Sequence, residues 1–164
     1  AGGRGVRRGF ASPLRAPGGR AGVAPSCAAV WRTESGARVI LVGGADRLAE
    51  LEGLVHELAF RKVTAVISGG ARRQDSVANG LTQLGLNTDF VAVHDAARPL
   101  VTPGLIERIY AAAREHGGAA SAAPMSDTLK RVNAKREVIG TVDGEMLFGV
   151  RTPQIFRRDQ LEKS

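Results

Sequence analysis

The sequence predicts an α/β fold: a three-layer, doubly wound domain on a mainly parallel sheet, with a protruding β-arm. Three observations predict it. Between Arg38 and Ala123, short β-branched runs alternate with stretches whose apolar residues recur at three and four, the pattern of strands joined by crossover helices. Glycine pairs (Gly43-Gly44, Gly69-Gly70, Gly117-Gly118) punctuate the junctions, as tight turns and helix ends require. From Asp127 the helical spacing stops, and the extended runs TLKRV, VIGTV and LFGV follow with no helix between them.

Taken in order, residues 1–35 are rich in Gly, Ala, Arg and Pro and have little periodicity, a composition of loop or disorder. Arg38 to Val42 reads as a buried strand. Asp46 to Phe60 reads as a helix, with Leu48, Leu51, Leu54, Val55, Leu58 and Ala59 on one face and Asp46 as its cap. Lys62 to Ser68 is the next strand, and Gly69-Gly70 make the turn. Ser76 to Leu84 is a helix with Val77, Leu81 and Leu84 inward. Phe90 to Val93 is a strand. Thr102 caps a helix with Pro103 in its first turn, which runs to about His116. Ala119 to Ala123 is a strand of small residues. Thr152-Pro153 closes the arm, and Ile155 to Ser164 starts a further helix.

The chain has 164 residues and a formal charge of +7, a length that suits one ordinary core. Residues 1–35 hold six arginines against one acid, Glu34, so the body is nearly neutral. The basic segment lacks aromatic interleaving and lysine, and the body gives no argument for nucleic acid. Cys27 is alone, which excludes a disulfide framework and a cysteine metal cluster. No apolar run approaches the ~18 residues that span a bilayer. Residues 1–20 have an Arg-bearing, acid-free, transit-like composition without a clean amphipathic period. The expectation is a soluble, cytoplasmic protein without membrane partners.

Two stretches carry chemistry. FVAVHDAARP (Phe90–Pro99) turns from a strand into His94, Asp95 and Arg98 within a few residues, and open α/β sheets place ligands at such carboxyl ends. A solvated Asp–Arg pair is the alternative reading. VISGGARRQDSVANGL (Val66–Leu81) runs from a strand through a glycine pair into a helix. There, glycines let backbone approach a ligand and Ser76 at a helix start can donate to a phosphate or ribose; a tight turn with a serine cap is the alternative. Arg72 and Arg73 read as a solvated or structural pair. The opening AGGRGVRRG is either low-complexity sequence or a phosphate loop.

SGGARRQDSVANGL, VHDAARPLV, SDTLKRV and RTPQIF, in that order and at these separations, resemble 2-C-methyl-D-erythritol 4-phosphate cytidylyltransferases over about Arg38 to Leu161. The resemblance implies a Rossmann-like nucleotidyltransferase fold over residues 36–164, with an arm at about 128–150 that crosses a homodimer. It also implies a degenerate Gly/Arg-rich nucleotide loop in residues 1–35. The family's A-A-G-x-G-x-R loop, laid on the chain without gaps, matches Ala1, Gly2, Gly3, Gly5 and Arg7, with Pro13 beyond. The chain then begins inside the motif, so the family's first strand is not expected, and the family's later lysine would lie past residue 164.

By the same resemblance, Ala1, Gly2, Gly3, Gly70 and Ser76 contact CTP, and Arg7 is the remaining catalytic cation. Asp95, Arg98, Thr128 and Thr152 hold the acceptor, a polyol phosphate. Mg²⁺ comes bound mainly through the CTP phosphates, with no protein metal ligand assigned. His94 orients the turn. Two of the family's cations are replaced, by Leu14 and by Gly144; Arg8, Arg15, Arg136 and Arg151 are the arginines that can stand in. The expected function is cytidylyl transfer to methylerythritol phosphate. A close variant uses a pentitol phosphate, and the alternative is a degenerate or truncated copy that binds nucleotide or partner without turnover. A dinucleotide-dependent dehydrogenase is disfavoured by the absence of G-x-G-x-x-G between a first strand and a helix.

Overall fold

An uninterrupted run of buried residues, Val39 to Gly43, makes β2 (Arg38–Gly43) an interior strand. The computed structural model describes residues 7–13, 19–33 and 38–163. In chain order the other elements are β1 (Arg7–Pro13), α1 (Gly19–Trp31), α2 (Leu48–Glu57), β3 (Val63–Ser68), α3 (Arg73–Thr82), β4 (Thr88–Val93), α4 (Pro103–His116) and β5 (Gly118–Pro124). They are followed by β6 (Leu129–Val132), β7 (Val138–Val142), β8 (Phe148–Arg157) and α5 (Arg158–Leu161).

The main sheet has the order β3-β2-β1-β4-β8-β5, and β6 pairs with β7 as a separate hairpin. β1 runs parallel to β2 and β4, and β2 parallel to β3. β8 alone opposes its neighbours β4 and β5. The sheet is therefore mainly parallel, as expected.

Alternation along the central strands sorts the core into two layers. Val39 and Leu41 of β2 and Ala92 of β4 join Val23, Cys27 and Val30 of α1, Leu51 and Leu54 of α2, and Ile106, Ile109 and Ala113 of α4. Ile40 and Val42 of β2 and Val91 of β4 face the other way, onto Leu81, Leu84 and Leu161. Phe90 meets Tyr110 edge to face, with ring centroids 5.4 Å apart, a favoured aromatic geometry.

The α4 region forms as its sequence directs. The Thr102 hydroxyl accepts from Leu105 N–H, and Gly117 ends the helix at φ +84°, the left-handed position that glycine adopts without strain.

Four expectations need correction. Residues 1–35 are not all loop: β1 lies at the centre of the sheet, with Gly9–Pro13 paired to Arg38–Val42. α1 packs Val23, Ser26, Cys27 and Val30 inward at helical spacing despite Pro25. A strand thus occupies the central position where none was expected, and the boundary drawn at residue 35 falls inside one continuous core.

Asp46 does not cap a helix; it sits in a 3₁₀ turn, Ala45–Arg47, that leads into α2. α3 begins at Arg73, and Ser76 lies one turn inside it. Ser76, Gly80 and Leu84 are more deeply buried than Val77 and Leu81. Finally, Ile155 to Arg157 continue β8, because their backbone pairs with β4, and helix is confined to Arg158–Leu161.

Candidate functional site

The parallel strands deliver two loops to one end of the sheet. After β3, Gly69 N–H donates to Gly43 O at 2.7 Å, which fastens the glycine turn to the end of β2. Gly70 N–H donates to Ser76 Oγ at 3.1 Å, and that hydroxyl donates onward to Arg72 O at 3.2 Å. A Cβ on Gly70 would collide with Asp75 Cβ, so the loop closes on α3 only with glycine there. Ser76 is buried, and its hydroxyl shapes the loop instead of capping the helix. The opening of α3 is secured by its neighbours: Arg72 N–H donates to Asp75 Oδ2 at 3.0 Å, and the Arg72 guanidinium meets Asp75 Oδ1 at 2.8 Å. That guanidinium holds the Asp75 carboxyl below the usual carboxylate range.

After β4, the turn His94–Arg98 is closed by Arg98 N–H donating to Asp95 O at 2.9 Å. β8 runs antiparallel beside it with Val93 opposite Gln154, so Thr152 stands against Asp95. Asp95 N–H donates to Thr152 Oγ1 at 3.1 Å, and Thr152 is buried.

His94 is 3 % exposed. Its Nε2 lies 3.2 Å from Arg98 O, and since a carbonyl only accepts, Nε2 carries the proton. Among the described residues Nδ1 has no partner; neither has the buried Ser26 Oγ, and both residues line one small cavity with Cys27. Burial is the main cause that lowers the His94 pKa, so the ring is neutral at pH 7. Burial also pushes the Cys27 thiol up to about 11, which leaves it protonated and unreactive at neutral pH.

The two loops meet through a residue that sequence reasoning passed over. Arg73 Nη2 lies 3.1 Å from Asp95 Oδ1, whereas Arg98 Nε stands 4.0 Å from Asp95 Oδ2. Arg73 was expected to be a solvated or structural partner of Arg72. The two arginines instead turn to different carboxylates, Arg72 to Asp75 and Arg73 to Asp95. No sequence signal links Arg73 to Asp95, which lies 22 positions on; the packing of α3 over β1 and β2 brings the pair together.

The expected acceptor residues Asp95, Arg98 and Thr152 therefore stand together, and the loop of Gly70 and Ser76 adjoins them. Thr128 is exposed just before β6, four residues past the end of β5.

Ala1, Gly2, Gly3 and Leu14 lie outside the described residues. Arg7 requires a correction. Its backbone opens β1 beside Thr88 at the start of β4, so it lies at the amino ends of the strands, opposite the loops of Gly70 and Asp95. Among the described residues no group of three or more His, Cys, Asp and Glu can hold a metal. Asp95, the carboxylate between the two loops, engages Arg73 through Oδ1.

A family model described as 2-C-methyl-D-erythritol 4-phosphate cytidylyltransferase matches residues 1–164. A bifunctional enzyme IspD/IspF of Desulfotalea psychrophila is 44 % identical over 128 residues, covering 78 % of this chain and 33 % of the relative. A 2-C-methyl-D-erythritol 4-phosphate cytidylyltransferase of Alkaliphilus oremlandii is 41 % identical over 122 residues, 74 % of this chain and 52 % of the relative. The crystal structure of the enzyme of that name from Thermus thermophilus superimposes with a TM-score of 0.68 at 29 % identity, covering 93 % of this chain and 72 % of that one. The chain spans a third to a half of the length of these two curated relatives.

Proposed function

The chain belongs to the 2-C-methyl-D-erythritol 4-phosphate cytidylyltransferase family, and from that premise we propose that it catalyses the family's reaction, in non-mevalonate isoprenoid biosynthesis. A phosphate oxygen of 2-C-methyl-D-erythritol 4-phosphate attacks the α-phosphorus of CTP. The bond from that phosphorus to the β-phosphate oxygen breaks, pyrophosphate leaves, and CDP-methylerythritol is formed.

The observation that supports this reading best is the cluster of Asp95, Arg98 and Thr152 beside the Gly69–Ser76 loop. In this reading Arg98 takes the acceptor phosphate with its forked donors, Asp95 accepts from acceptor hydroxyls, and Thr128 and Thr152 add uncharged contacts. The Gly70 backbone and Ser76 support the cytidine. A phosphate monoester is already ionised at neutral pH, so the attacking oxygen needs no general base, and the work left to the protein is positioning. His94, neutral and hydrogen-bonded to Arg98 O, holds the turn.

In this reading Mg²⁺ would come with CTP, held mainly through its phosphates, and would offset the triphosphate charge; no group of three or more His, Cys, Asp and Glu among the described residues is placed to hold it. The arm residues Val138, Ile139, Phe148 and Val150 are more than half exposed, and exposed apolar strands call for a partner, which supports a homodimer through the arm. Among the described residues no helix is long and apolar enough to cross a membrane. Both substrates are water-soluble phosphates, and in this reading the chain works on them in the cytoplasm, without nucleic acid.

The test is pyrophosphate release with CTP and Mg²⁺ against a panel of methylerythritol, erythritol and pentitol phosphates. Release with methylerythritol 4-phosphate well above the others is expected. Release with a pentitol phosphate instead would reassign the acceptor, and none with any acceptor would defeat the proposal.

A further inference from the structure

We propose that Arg73 is a positioning residue for the acceptor: it holds Asp95 Oδ1 so that Asp95 Oδ2 and the Arg98 guanidinium stay available to substrate. The proposal rests on the cytidylyltransferase reading and concerns a residue that reading does not use.

The distances carry it. Arg73 lies within hydrogen-bonding range of Asp95 at 3.1 Å, and Arg98 lies outside it at 4.0 Å. Asp95 and Arg98 are three apart on one turn, and nothing but a small movement separates them from a forked ion pair. Such a pair would occupy both groups at once: the carboxylate that accepts acceptor hydroxyls and the cation that takes the acceptor phosphate. Arg73 competes for the carboxylate from the other side and prevents that collapse. Asp95 is held from a third direction by its own N–H on Thr152 Oγ1, so the carboxylate pivots on a fixed backbone.

A purely stabilising role is a poor account of the pair. The Arg73 and Asp95 side chains are 46 % and 27 % exposed, and solvated ion pairs of this kind contribute little to stability. Position in the chain also matters. Arg73 opens α3 three residues after Gly70, and Arg72, its neighbour, ties the same turn to Asp75. Whatever orders the glycine loop therefore orders Arg73, and through it Asp95. Acceptor affinity is in this way linked to occupancy of the nucleotide loop, and such linkage is reciprocal.

The test uses the full chain with CTP·Mg²⁺ and methylerythritol 4-phosphate. Arg73→Ala is expected to raise acceptor KM at least tenfold, with CTP KM changed less than threefold and the thermal midpoint unmoved. Arg73→Lys, which keeps the charge and loses the fork, should recover part of the loss. In an Asp95→Asn background, where no carboxylate can capture Arg98, adding Arg73→Ala should change acceptor KM less than twofold. Acceptor binding by calorimetry should strengthen in the presence of cytidine 5′-(α,β-methylene)triphosphate, and this gain should vanish in Arg73→Ala. An active wild type with acceptor KM unchanged in Arg73→Ala would overturn the proposal alone. So would effects of Arg73→Ala and Asp95→Asn that simply multiply. A wild type that releases no pyrophosphate with any acceptor would overturn the family reading, and this proposal with it.

Discussion

Replacing His94 by leucine should separate stability from acceptor recognition. His94 is 3 % exposed and donates from Nε2 to Arg98 O at 3.2 Å; its buried Nδ1 has no partner among the described residues. Leucine leaves the Arg98 carbonyl without that donor, at a cost of about 1–3 kcal/mol. It also removes the orphaned Nδ1, a relief of similar size, and the two side chains are close in volume, so repacking adds little. The terms nearly cancel, and the net change in stability should stay within about 1 kcal/mol, or roughly 2–4 °C in thermal midpoint for a chain of this size. The turn that carries Asp95 and Arg98, however, loses its internal strut. Acceptor KM should rise about fivefold or more while CTP KM holds. Glutamine, whose amide nitrogen reaches the Nε2 position, should restore most of the loss. A large fall in melting temperature with acceptor KM unchanged would refute this reasoning and make His94 a packing residue.

The same side chain sets a pH dependence whose sign follows from its burial. Desolvation, the largest cause, lowers the folded-state pKa of His94, while the unfolded chain titrates near the ordinary 6.5. Above that value both states are neutral, and the full stability is present. As pH falls below it, the unfolded state takes up a proton that the folded state resists. Stability then declines by up to about 1.4 kcal/mol per pH unit until the lowered folded value is passed. Urea melts between pH 7.5 and 5 read this directly, and His94→Leu should flatten the part of the slope that His94 causes.

Three further outcomes are expected. Arg98→Ala should weaken the acceptor by about 1.5–3 kcal/mol, the value of a charge-assisted bond, with CTP binding by calorimetry largely intact; equal weakening of both would make Arg98 structural. Ile139→Asp combined with Phe148→Asp places charge on arm residues that are 60 % and 55 % exposed, and should convert a dimer to a monomer by light scattering; an unchanged mass would move the interface elsewhere. Gly144 has open space around its Cβ position, so Gly144→Arg should fold normally and raise turnover more than CTP affinity. A folded variant with unchanged turnover would show that no cation is missing at that point of the arm.

How much of this was legible in the sequence depended on what decides each element. β2, β4 and α4 carry their own instructions: β-branched runs buried on both faces, and a Thr-Pro start with a Gly stop. Local preference and tertiary context agree there. β1 has no such signature. RRGFASP is a strand because it fills the central place between β2 and β4, and only the assembled sheet supplies that reason. α1 was hidden by Pro25 and glycine-rich flanks, although Val23, Cys27 and Val30 show helical spacing once the segment is considered as a helix. At the site, Asp95, Arg98 and Thr152 were legible because each lies in a short motif with distinctive chemistry, and register brings Thr152 to Asp95. Arg73 was not, since its partner lies 22 positions away and no periodicity connects them.

The misplacement of Arg7 has the same origin and leads to a sharp test. Aligned without gaps, the glycine-rich opening puts Arg7 in a loop beside the triphosphate. In the fold, Arg7 is the first residue of β1 and pairs with Thr88, the first residue of β4. Both strands run parallel, so their carboxyl ends, where Asp95 follows β4, lie a strand's length away. A six-residue strand spans roughly 20 Å at 3.3 Å per residue. From that backbone position we expect no transition-state donor, a role whose removal typically costs about 10²–10³ in rate. Arg7→Ala should therefore change kcat less than about twofold in the pyrophosphate-release assay, with both KM values unaltered. A fall of a hundredfold with normal melting behaviour would place Arg7 at the triphosphate after all, and would require β1 to be drawn from a different stretch of the chain.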